Sequence, residues 1–312
     1  MKKLASHIIK ELIGFGFRIF GVFYLIKQFS KKNKLYYVFN YHNFSKYNNY
    51  KLKRGNILET GYEESFEKQI KFFNKHFKFS YPSEFFKSTA KECSVLVTFD
   101  DGYKDNYNIA LPILKKYDAK AFFFIVTSLT GTRDMLMHDK IRLLVQLNKV
   151  DKSFESIPRY LYKGTKNYDK DSIDYISKVY DEINLDEVRM MNNEDLEGIV
   201  NNGFKLGNHT HNHQGLSFLT ESEQLSEMEK CDTILREITN VNTIAYPNGL
   251  YNSETIALCK TLNYDYGFTI LPGVNDKGTN HLELKRIGVN ASDSLNVIVF
   301  KIIMNYFGVS WI

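Results

Sequence analysis

The feature that most constrains this chain is an apolar run, Val95–Phe99, that ends directly in Asp100, Asp101 and Gly102. The run is β-branched and aromatic, which is typical of a buried strand. Two carboxylates at the end of a buried strand are unfavourable unless they are paired or bind a cation. Since α/β folds place their chemistry at the carboxyl ends of strands, the run predicts a site there. Taken alone, an Asp-Asp-Gly sequence is more typical of an Asx turn with solvated aspartates.

A second stretch, Gly207–His213, favours a functional site over an Asx turn because it holds His209 and His213 four residues apart. This spacing lets two imidazoles share a metal ion, and two histidines with one carboxylate are a ligand set of catalytic zinc sites. Of two adjacent aspartates, one can bind the metal while the other takes a proton from the metal-bound water. Surface histidine clusters are common, but the two stretches together predict a hydrolytic metal site that suits attack on an amide or ester carbonyl.

Composition indicates a globular protein and excludes several classes. The chain has 312 residues, of which 43% are hydrophobic and 15% aromatic, so it can bury a sizeable core. A net charge of +5, spread over 41 basic and 36 acidic residues, is too small and diffuse to indicate a nucleic-acid partner. Cys93, Cys231 and Cys259 show no CxxC spacing, so neither a disulfide framework nor a cysteine zinc site is predicted. A reducing, cytoplasmic location is expected.

Residues 1–34 are expected to form an N-terminal amphipathic helix and a short basic linker. Ile8–Ile26 is apolar but interrupted by charges, which is unlike a membrane-spanning helix or the apolar region of a signal peptide. Lys10, Gly14, Arg18 and Gly21 fall on one helical stripe, with apolar residues around the rest. Such a helix either packs on the main domain, which we favour, or makes peripheral contact with the inner face of the membrane through residues 8–26.

Residues 35–312 are expected to form one α/β domain. Strand and helix patterns alternate from Leu35 to Tyr306, and Val95–Val126 has the strand, helix and strand of a parallel βαβ unit. The repeated order predicts a parallel α/β barrel. Residues 148–192 are polar and are interpreted as an insertion with helical pieces, which could form a flap over the site.

Three motifs resemble those of the polysaccharide deacetylases, the NodB-homology or carbohydrate esterase family 4 proteins. Thr98–Tyr103 resembles the first motif, Gly207–His213 resembles the second, HTxxH, and Ala245–Gly249 resembles a third of the YPYG type. Framework segments between residues 35 and 290 also fit the family. The resemblance implies a distorted (β/α) barrel of about seven strands that hydrolyses acetyl groups from sugars with a divalent metal, usually zinc.

The resemblance also implies roles for individual residues. Asp100 matches the catalytic base, and Asn248 sits where a backbone N–H helps to hold the oxyanion. Thr210 matches a residue that supports the metal-site loop by hydrogen bonding, and Tyr103, Tyr246 and Pro247 are expected to contact substrate. The implied metal ligands are Asp101, His209 and His213.

The chain departs from the family pattern at three places. The arginine that orients the catalytic aspartate is missing from the third motif, and Arg286 is our hypothesis for its substitute. The tryptophan of the fourth motif and the general-acid histidine of the fifth are absent around Tyr264–Phe268 and Leu284–Val289. The remaining histidines considered as proton donors, none of which matches by position, are His42, His211 and His281.

The sequence therefore predicts a metal-dependent hydrolase that removes acetyl groups, N-acetyl in preference to O-acetyl, from a sugar. The acceptor could be a polysaccharide, a lipid-linked glycan or a nucleotide sugar, in a role that fits surface glycan biosynthesis. One alternative is a non-catalytic carbohydrate-binding or scaffold protein that keeps the barrel. Another is a zinc peptidase or other amidohydrolase, which would share the metal site but need a peptide groove.

Overall fold

The chain is built around one curled sheet of parallel strands. The computed structural model describes residues 2–44, 52–53, 57–58, 62–156, 170–183 and 190–309. In the spatial order of the sheet, its path runs through β10 (Ile287–Gly288), β1 (Tyr36–Tyr41), β5 (Ser94–Phe99), β6 (Ala121–Ile125), β7 (Lys205–Asn208), β8 (Thr243–Ala245) and β9 (Tyr266–Phe268). A short strand β4 (Lys78–Phe79) also pairs with β5, and β2 (Leu52–Lys53) and β3 (Ile57–Leu58) form a separate antiparallel pair.

The two ends of the sheet approach each other through one short segment. Phe268 of β9 makes a parallel bridge with Leu284, and three residues later Ile287 pairs with Phe39 of β1. The segment Leu284–Val289 therefore closes the sheet through one bridge and two paired residues. The segment carries Arg286 between its two contacts, which places this residue at the seam of the barrel.

Helices cover the outside of the sheet. Their bounds are α1 (Lys2–Ile19), α2 (Val22–Lys32), α3 (Glu63–His76), α4 (Pro82–Lys87), α5 (Leu111–Lys116), α6 (Met137–Gln146), α7 (Lys170–Asp181), α8 (Asn193–Asn201), α9 (Glu221–Arg236), α10 (Ser253–Thr261) and α11 (Leu295–Tyr306). A π-helical stretch, Asn106–Ala110, precedes α5, so the helix between β5 and β6 is divided into two parts. Thr220 caps α9 in a capping box with Glu223.

Strand alternation explains where the core lies and why the site faces inward. On β1, Tyr37 and Phe39 belong to the cluster under the helices, whereas Tyr36 and Val38 belong to a second cluster in the barrel interior. Both faces are buried, which is why the parallel strands consist of unbroken apolar runs. Because side chains alternate along a strand, the interior row of Leu96 leads on to polar residues at the carboxyl end of the sheet.

The N-terminal prediction of a single helix is wrong in detail. The chain forms two helices, because Gly21 adopts a φ of 73° and interrupts the helical backbone after Phe20. The first helix packs along α11, as favoured from the sequence. Among the helices of the described ranges, none has the length and apolar content that crossing a bilayer requires.

The polar segment 148–192 is described only in part. Helix α7 packs against α6, and Ile176 and Tyr180 share a small apolar cluster with Ile141 and Leu144. This agrees with the expected helical pieces. Residues 157–169 and 184–189 of the proposed flap lie outside the described residues.

Candidate active site

The polar residues predicted as a site meet in one cavity at the carboxyl ends of the strands. Its volume is about 880 Å³. Parallel strands end at the same edge of a sheet, so residues that follow β1, β5, β7 and β8 converge there. The residues of its wall that bear on the chemistry are Asn40, His42, Asp100, Asp101, Tyr103, His138, His209, His213 and Asn248.

The carboxylate of Asp100 is held by a guanidinium and an amide. Arg286 Nη1 donates to Asp100 Oδ1 at 2.7 Å and Nη2 donates to Oδ2 at 2.8 Å, a paired geometry of the strong kind. Asn40 Nδ2 donates to Oδ2 at 3.0 Å. Asp100 is 2% exposed and Arg286 is 1% exposed, so water does not compete for these bonds. The structure therefore places Arg286 where the hypothesis of an orienting arginine needs it.

The guanidinium is itself fixed by further acceptors. Its Nε donates to the carbonyl of Thr269 at 2.7 Å, and Nη1 also donates to Asn40 Oδ1 at 3.0 Å and to Thr98 Oγ1 at 3.3 Å. The ion pair is thus surrounded by further hydrogen bonds inside the barrel, which a buried ion pair requires. Asp100 is held with one orientation before any substrate arrives.

Asp101, His209 and His213 form a second, adjacent cluster. Asp101 Oδ1 lies 3.4 Å from His209 Nε2 and 3.3 Å from His213 Nε2. One ligand atom from each of the three residues lies within 4.8 Å of the others. His209 Nδ1 lies 2.7 Å from the carbonyl oxygen of Ala245, and since a carbonyl only accepts, this nitrogen carries a proton. The lone pair of a neutral His209 is then on Nε2 and points at the cluster.

These residues fit a tetrahedral divalent metal. Zinc binds imidazole nitrogen and carboxylate oxygen at about 2.0–2.1 Å, so two tetrahedral ligands are separated by about 3.3 Å. The two nitrogen–oxygen distances in the cluster, 3.4 and 3.3 Å, match that separation. Two imidazoles and one carboxylate leave one position for water, as catalytic zinc sites do.

Left-handed backbone conformations place several site residues. Asp101 has φ of 79°, Thr210 of 63°, His213 of 56° and Asn248 of 56°. Non-glycine residues in this region carry strain that the surrounding structure must over-determine, and such strain concentrates at functional sites. The turns allow successive side chains to leave the sheet edge in different directions, so Asp100 and Asp101 face separate partners.

Asn208, which the sequence motifs did not single out, supports the metal-site loop. Its Oδ1 accepts from the Thr210 amide at 2.7 Å, and its Nδ2 donates to Asp232 Oδ1 at 2.8 Å. Thr210 was expected to support this loop by hydrogen bonding, and it makes this bond to Asn208 through its backbone amide. Its hydroxyl is buried and has no hydrogen-bond partner within the described part of the chain. The sequence feature that could have identified Asn208 is its position as the last residue of the strand, directly before His209.

Burial and charge shift the pKa values of the four groups. Burial raises the pKa of Asp100, but the Arg286 charge and that of His209 outweigh it, so the pKa is lowered. The pKa of Asp101 is also raised by burial, yet hydrogen bonds from His209 and His213 bring it well below its usual value. Burial lowers the pKa of His213. Burial acts in the same direction on His209, but the charge of Asp100 and the bond to Asp101 outweigh it and raise the pKa. Both carboxylates are therefore ionised at neutral pH.

Asn248 lines the cavity at a tight turn after β8. The amides of Gly249 and Leu250 donate to the carbonyls of Tyr246 and Pro247 within this turn. Among the described residues, no hydrogen bond involves the Asn248 amide. A donor without an intramolecular partner, on a residue that lines the cavity, is what an oxyanion hole requires.

Of the three residues expected to contact substrate, one lines the cavity and two are buried elsewhere. Tyr103 lines the cavity, and its hydroxyl donates to Asp139 Oδ2 at 2.5 Å. Tyr246 instead lies in the apolar core with 0% exposure, and its hydroxyl donates to the carbonyl of Leu282 at 2.8 Å. Pro247 is buried beside it and is not part of the cavity wall. The expected contacts of Tyr246 and Pro247 with substrate therefore disagree with this arrangement, in which both residues pack the turn that presents Asn248.

Of the histidines considered as proton donors, His42 lies in the cavity. It lines the same cavity wall as Asp100 and Asp101. His211 is outside the cavity, with Nδ1 at 3.0 Å from Thr127 Oγ1, and His281 packs on Phe86 at 4.0 Å between ring centroids. His138, which no sequence motif singled out, also lines the cavity, with its ring 6.3 Å from that of His213.

Comparison with known proteins assigns this arrangement to a family. A sequence model of the polysaccharide deacetylase family matches residues 87–267, more than half of the chain, and the chain belongs to that family. The resemblance drawn from the motifs is confirmed.

Two curated relatives show how similar the sequence is to known proteins. The putative polysaccharide deacetylase YxkH of Bacillus subtilis (strain 168) is 26% identical over 206 residues, which are 65% of this chain and 54% of YxkH. The poly-beta-1,6-N-acetyl-D-glucosamine N-deacetylase of Staphylococcus aureus (strain MRSA252) is 25% identical over 243 residues, 72% of this chain and 66% of that protein. The chain thus spans 54% to 66% of the length of these relatives.

Solved structures confirm the fold. The Streptococcus pyogenes deacetylase PplD, in complex with acetate, has a TM-score of 0.58 at 22% identity, covering 85% of this chain and 96% of that one. IcaB from Ammonifex degensii has a TM-score of 0.56 at 20% identity, covering 85% and 95%. The predicted distorted α/β barrel is therefore confirmed.

Proposed function

We propose that this protein removes N-acetyl groups from an N-acetylated sugar by metal-dependent hydrolysis, with zinc as the metal. The observation that carries the proposal is the pair of adjacent aspartates with separate partners: Asp100 on Arg286, and Asp101 on two imidazoles. A poly-β-1,6-N-acetylglucosamine chain is the first substrate to test, because the Staphylococcus aureus relative carries that substrate in its name. A cytoplasmic location is also proposed, which the unpaired cysteines Cys93, Cys231 and Cys259 support.

Asp101, His209 and His213 would hold the metal. When bound there, the ion would lower the pKa of a water molecule toward about 7 and polarise the acetyl carbonyl. The two imidazoles must be neutral to act as ligands, and the Ala245 carbonyl fixes the required tautomer of His209. The role of these three residues is therefore to bring water and the amide together.

Asp100 is proposed as the general base. Its lowered pKa keeps it ionised at neutral pH, and Arg286 and Asn40 fix its position beside the ligand cluster. It accepts a proton as the water oxygen bonds to the acetyl carbon. The Asn248 amide donates to the oxygen that gains negative charge, a contribution of roughly 10²–10³ in rate at comparable sites.

His42 is proposed to give a proton to the leaving nitrogen. What supports His42 over His211 and His281 is that it lines the same cavity as Asp100 and Asp101. The carbon–nitrogen bond then breaks, and acetate and a free amine are the products. The proton accepted by Asp100 balances the proton donated to the amine.

The test is acetate release from N-acetylated sugars by zinc-loaded protein, with Asp100→Asn as the variant and bound zinc measured in parallel. We expect the variant to keep its zinc and lose at least about 10²-fold in rate, as removal of a general base does. Zinc bound by both proteins with no acetate released from any sugar would favour the non-catalytic alternative. Failure of the wild type to bind a divalent metal would overturn the proposal.

A further inference from the structure

The first helix of the chain packs in an unusual orientation, with its polar stripe toward the protein. Gly14 lies against α11 so closely that a Cβ there would meet the carbonyl oxygen of Asn296 at 1.9 Å. The side chain of Asn296 accepts from Arg18 Nη1 at 2.7 Å and donates to Glu11 Oε2 at 3.1 Å. Hydrogen bonds and a close backbone approach thus fix this face of α1 on the main domain.

The opposite face of α1 is apolar and lies in solvent. Leu12 is 66% exposed and Ile19 is 61% exposed, although both occur in a helix that packs on the domain. The exposed apolar side chains continue through the break, where Phe20 is 82% exposed, into α2, where Tyr24 is 60% exposed. The full set is Ile8, Ile9, Leu12, Phe15, Ile19, Phe20, Tyr24, Leu25 and Phe29. We call these residues the apolar face.

Exposure on this scale is not explained by the fold. Scattered single hydrophobic residues are normal on a surface, but a contiguous set marks contact with another molecule or a membrane. A helix that only covered the domain would turn its apolar residues inward and its charges outward. In α1 the polar stripe faces the domain and the apolar face points outward. The apolar face is therefore positioned to contact an apolar phase outside the protein.

Charge is concentrated in the same segment. Residues 1–34 hold eight lysines and arginines and one acidic residue, Glu11, whereas the remaining 278 residues hold 33 basic and 35 acidic residues. Lys31 and Lys32 at the end of α2 are exposed. A basic segment joined to an apolar helix face is the combination by which interfacial helices bind anionic lipid.

We propose that α1 and α2 dock on an anionic lipid bilayer, with the apolar face immersed in the interfacial region and the lysines at the headgroups. Helices that lie in the interface bury an apolar face without crossing the bilayer. This agrees with the absence of a bilayer-crossing helix in the described part of the chain. The break at Gly21 lets the two helices follow the surface as separate segments.

Docking places the cavity next to the bilayer. Lys10 of α1 lines the cavity wall, and Ile8, Ile9 and Leu12, within the same turn, belong to the apolar face. The part of the cavity wall that Lys10 forms therefore lies about one helix diameter, roughly 10–12 Å, from the docked surface. This step rests on the proposed deacetylation. With the cavity held near the bilayer, the expected substrates are N-acetylated glycans held at a membrane surface.

The test is co-sedimentation of the protein with vesicles of phosphatidylcholine alone and of an equimolar mixture with phosphatidylglycerol. We expect binding to the mixed vesicles that weakens as salt is added. The variant Leu12→Ser/Phe15→Ser/Ile19→Ser should bind at least about tenfold more weakly, because these side chains supply buried apolar area. The matched control is Phe218→Ser, an exposed aromatic on a different element.

The lysines are tested separately. Lys31→Glu/Lys32→Glu should weaken binding to the mixed vesicles at least about tenfold, whereas Lys230→Glu/Lys260→Glu makes the same change of charge on exposed positions elsewhere. Each variant is checked for zinc binding, which a correctly folded domain retains whether or not it is catalytically active. Failure of the deacetylase proposal would thus leave this result intact.

Three outcomes would overturn the docking proposal. The first is absence of binding to either vesicle at low salt. The second is equal binding of the wild type to neutral and anionic vesicles, which removes the anionic partner. The third is a dimer of the free protein that the triple variant converts to a monomer, which assigns the apolar face to a second copy of the chain.

Discussion

Asp100 and Arg286 form a paired salt bridge inside the barrel, with nitrogen–oxygen distances of 2.7 and 2.8 Å, although 186 residues separate them in sequence. The arginine comes from the segment that joins the two ends of the sheet, and the aspartate from its centre. The segment that closes the sheet therefore also orients Asp100, the proposed base. Several properties of the protein should depend on this pair.

Loss of the guanidinium should move the pH dependence of the reaction. The charge of Arg286 lowers the pKa of Asp100, and a base works only in its ionised form. In Arg286→Met the pKa of Asp100 should rise, so the acid limb of the kcat/KM profile should shift to higher pH. Arg286→Lys keeps the charge but not the paired bonds, and a smaller shift is expected. Identical acid limbs in the wild type and Arg286→Met would contradict the role of Asp100.

The two neighbouring aspartates should separate metal binding from catalysis. Asp101→Asn keeps the side-chain shape and tolerates the left-handed backbone at that position. It should weaken zinc binding by at least about tenfold in competition with a chelator, since one anionic ligand is lost. Asp100→Asn is the matched variant and should bind zinc within a few-fold of the wild type. Equal loss of zinc in both variants would contradict the assignment.

Removing bound metal should lower thermal stability. A ligand that binds only the folded protein stabilises it by about 2.7 kcal/mol at a concentration about 100 times its Kd. Chelation should therefore reduce the Tm of the zinc-loaded wild type, and Asp101→Asn should show little change under the same treatment. A Tm that responds to chelator equally in both proteins would indicate metal bound elsewhere.

Asn208 should support the metal-site loop. Its side chain bonds the Thr210 amide, the Met228 carbonyl and Asp232, all in the interior. Asn208→Ala leaves the Thr210 amide without its acceptor, at a cost of about 1–3 kcal/mol, whereas Asp232 keeps the hydrogen bonds from Tyr264 and Arg236. Denaturant unfolding should show the loss, and zinc affinity should fall because this loop carries both His209 and His213. Asn201→Ala, at the exposed end of α8, is the control.

Two glycines of α1 offer a matched test of its packing. A Cβ at Gly14 would meet Asn296 backbone atoms, whereas at Gly16 it would meet only the Phe20 ring at 4.0 Å. Gly14→Ala should destabilise the protein by about 1–3 kcal/mol in denaturant unfolding through overpacking. Gly16→Ala should be neutral or should stabilise it by up to about 1 kcal/mol, because alanine favours helix. Equal effects of the two substitutions would mean that α1 does not pack on α11 in solution.

The barrel was predictable because its signals are local. The run Val95–Phe99 indicates burial on both faces, and the terminal aspartates indicate the sheet edge. The position of Arg286 could only be hypothesised from the sequence, since its bond to Asp100 depends on how the sheet closes. The sequence also could not show which face of the first helix packs on the domain. Periodicity separates the polar stripe from the apolar face, but the close packing of Gly14 on Asn296 decides which of them faces inward.

Residues that suit two different roles were harder to assign. Tyr246 belongs to a motif expected to contact substrate, yet its hydroxyl satisfies a buried carbonyl of Leu282. His138 follows a loop and carried no spacing signal, yet it lines the cavity. Sequence spacing specifies which residues can reach a strand end, whereas the tilt of each turn decides which of them reach the cavity.

The separation of Asp100 from Arg286 has a consequence for synthesis on the ribosome. The nascent chain exposes Asp100, Asp101 and both histidines of the HTxxH motif well before residue 286 is added. During that interval the carboxylate of Asp100 lacks its counterion, and burying it is unfavourable. The proposed metal ligands can gather early, but Asp100 acquires its orientation only when the segment that closes the sheet arrives. On the proposed mechanism, catalytic competence would follow metal binding in the growing chain, and a chain that still lacks this segment would stay inert.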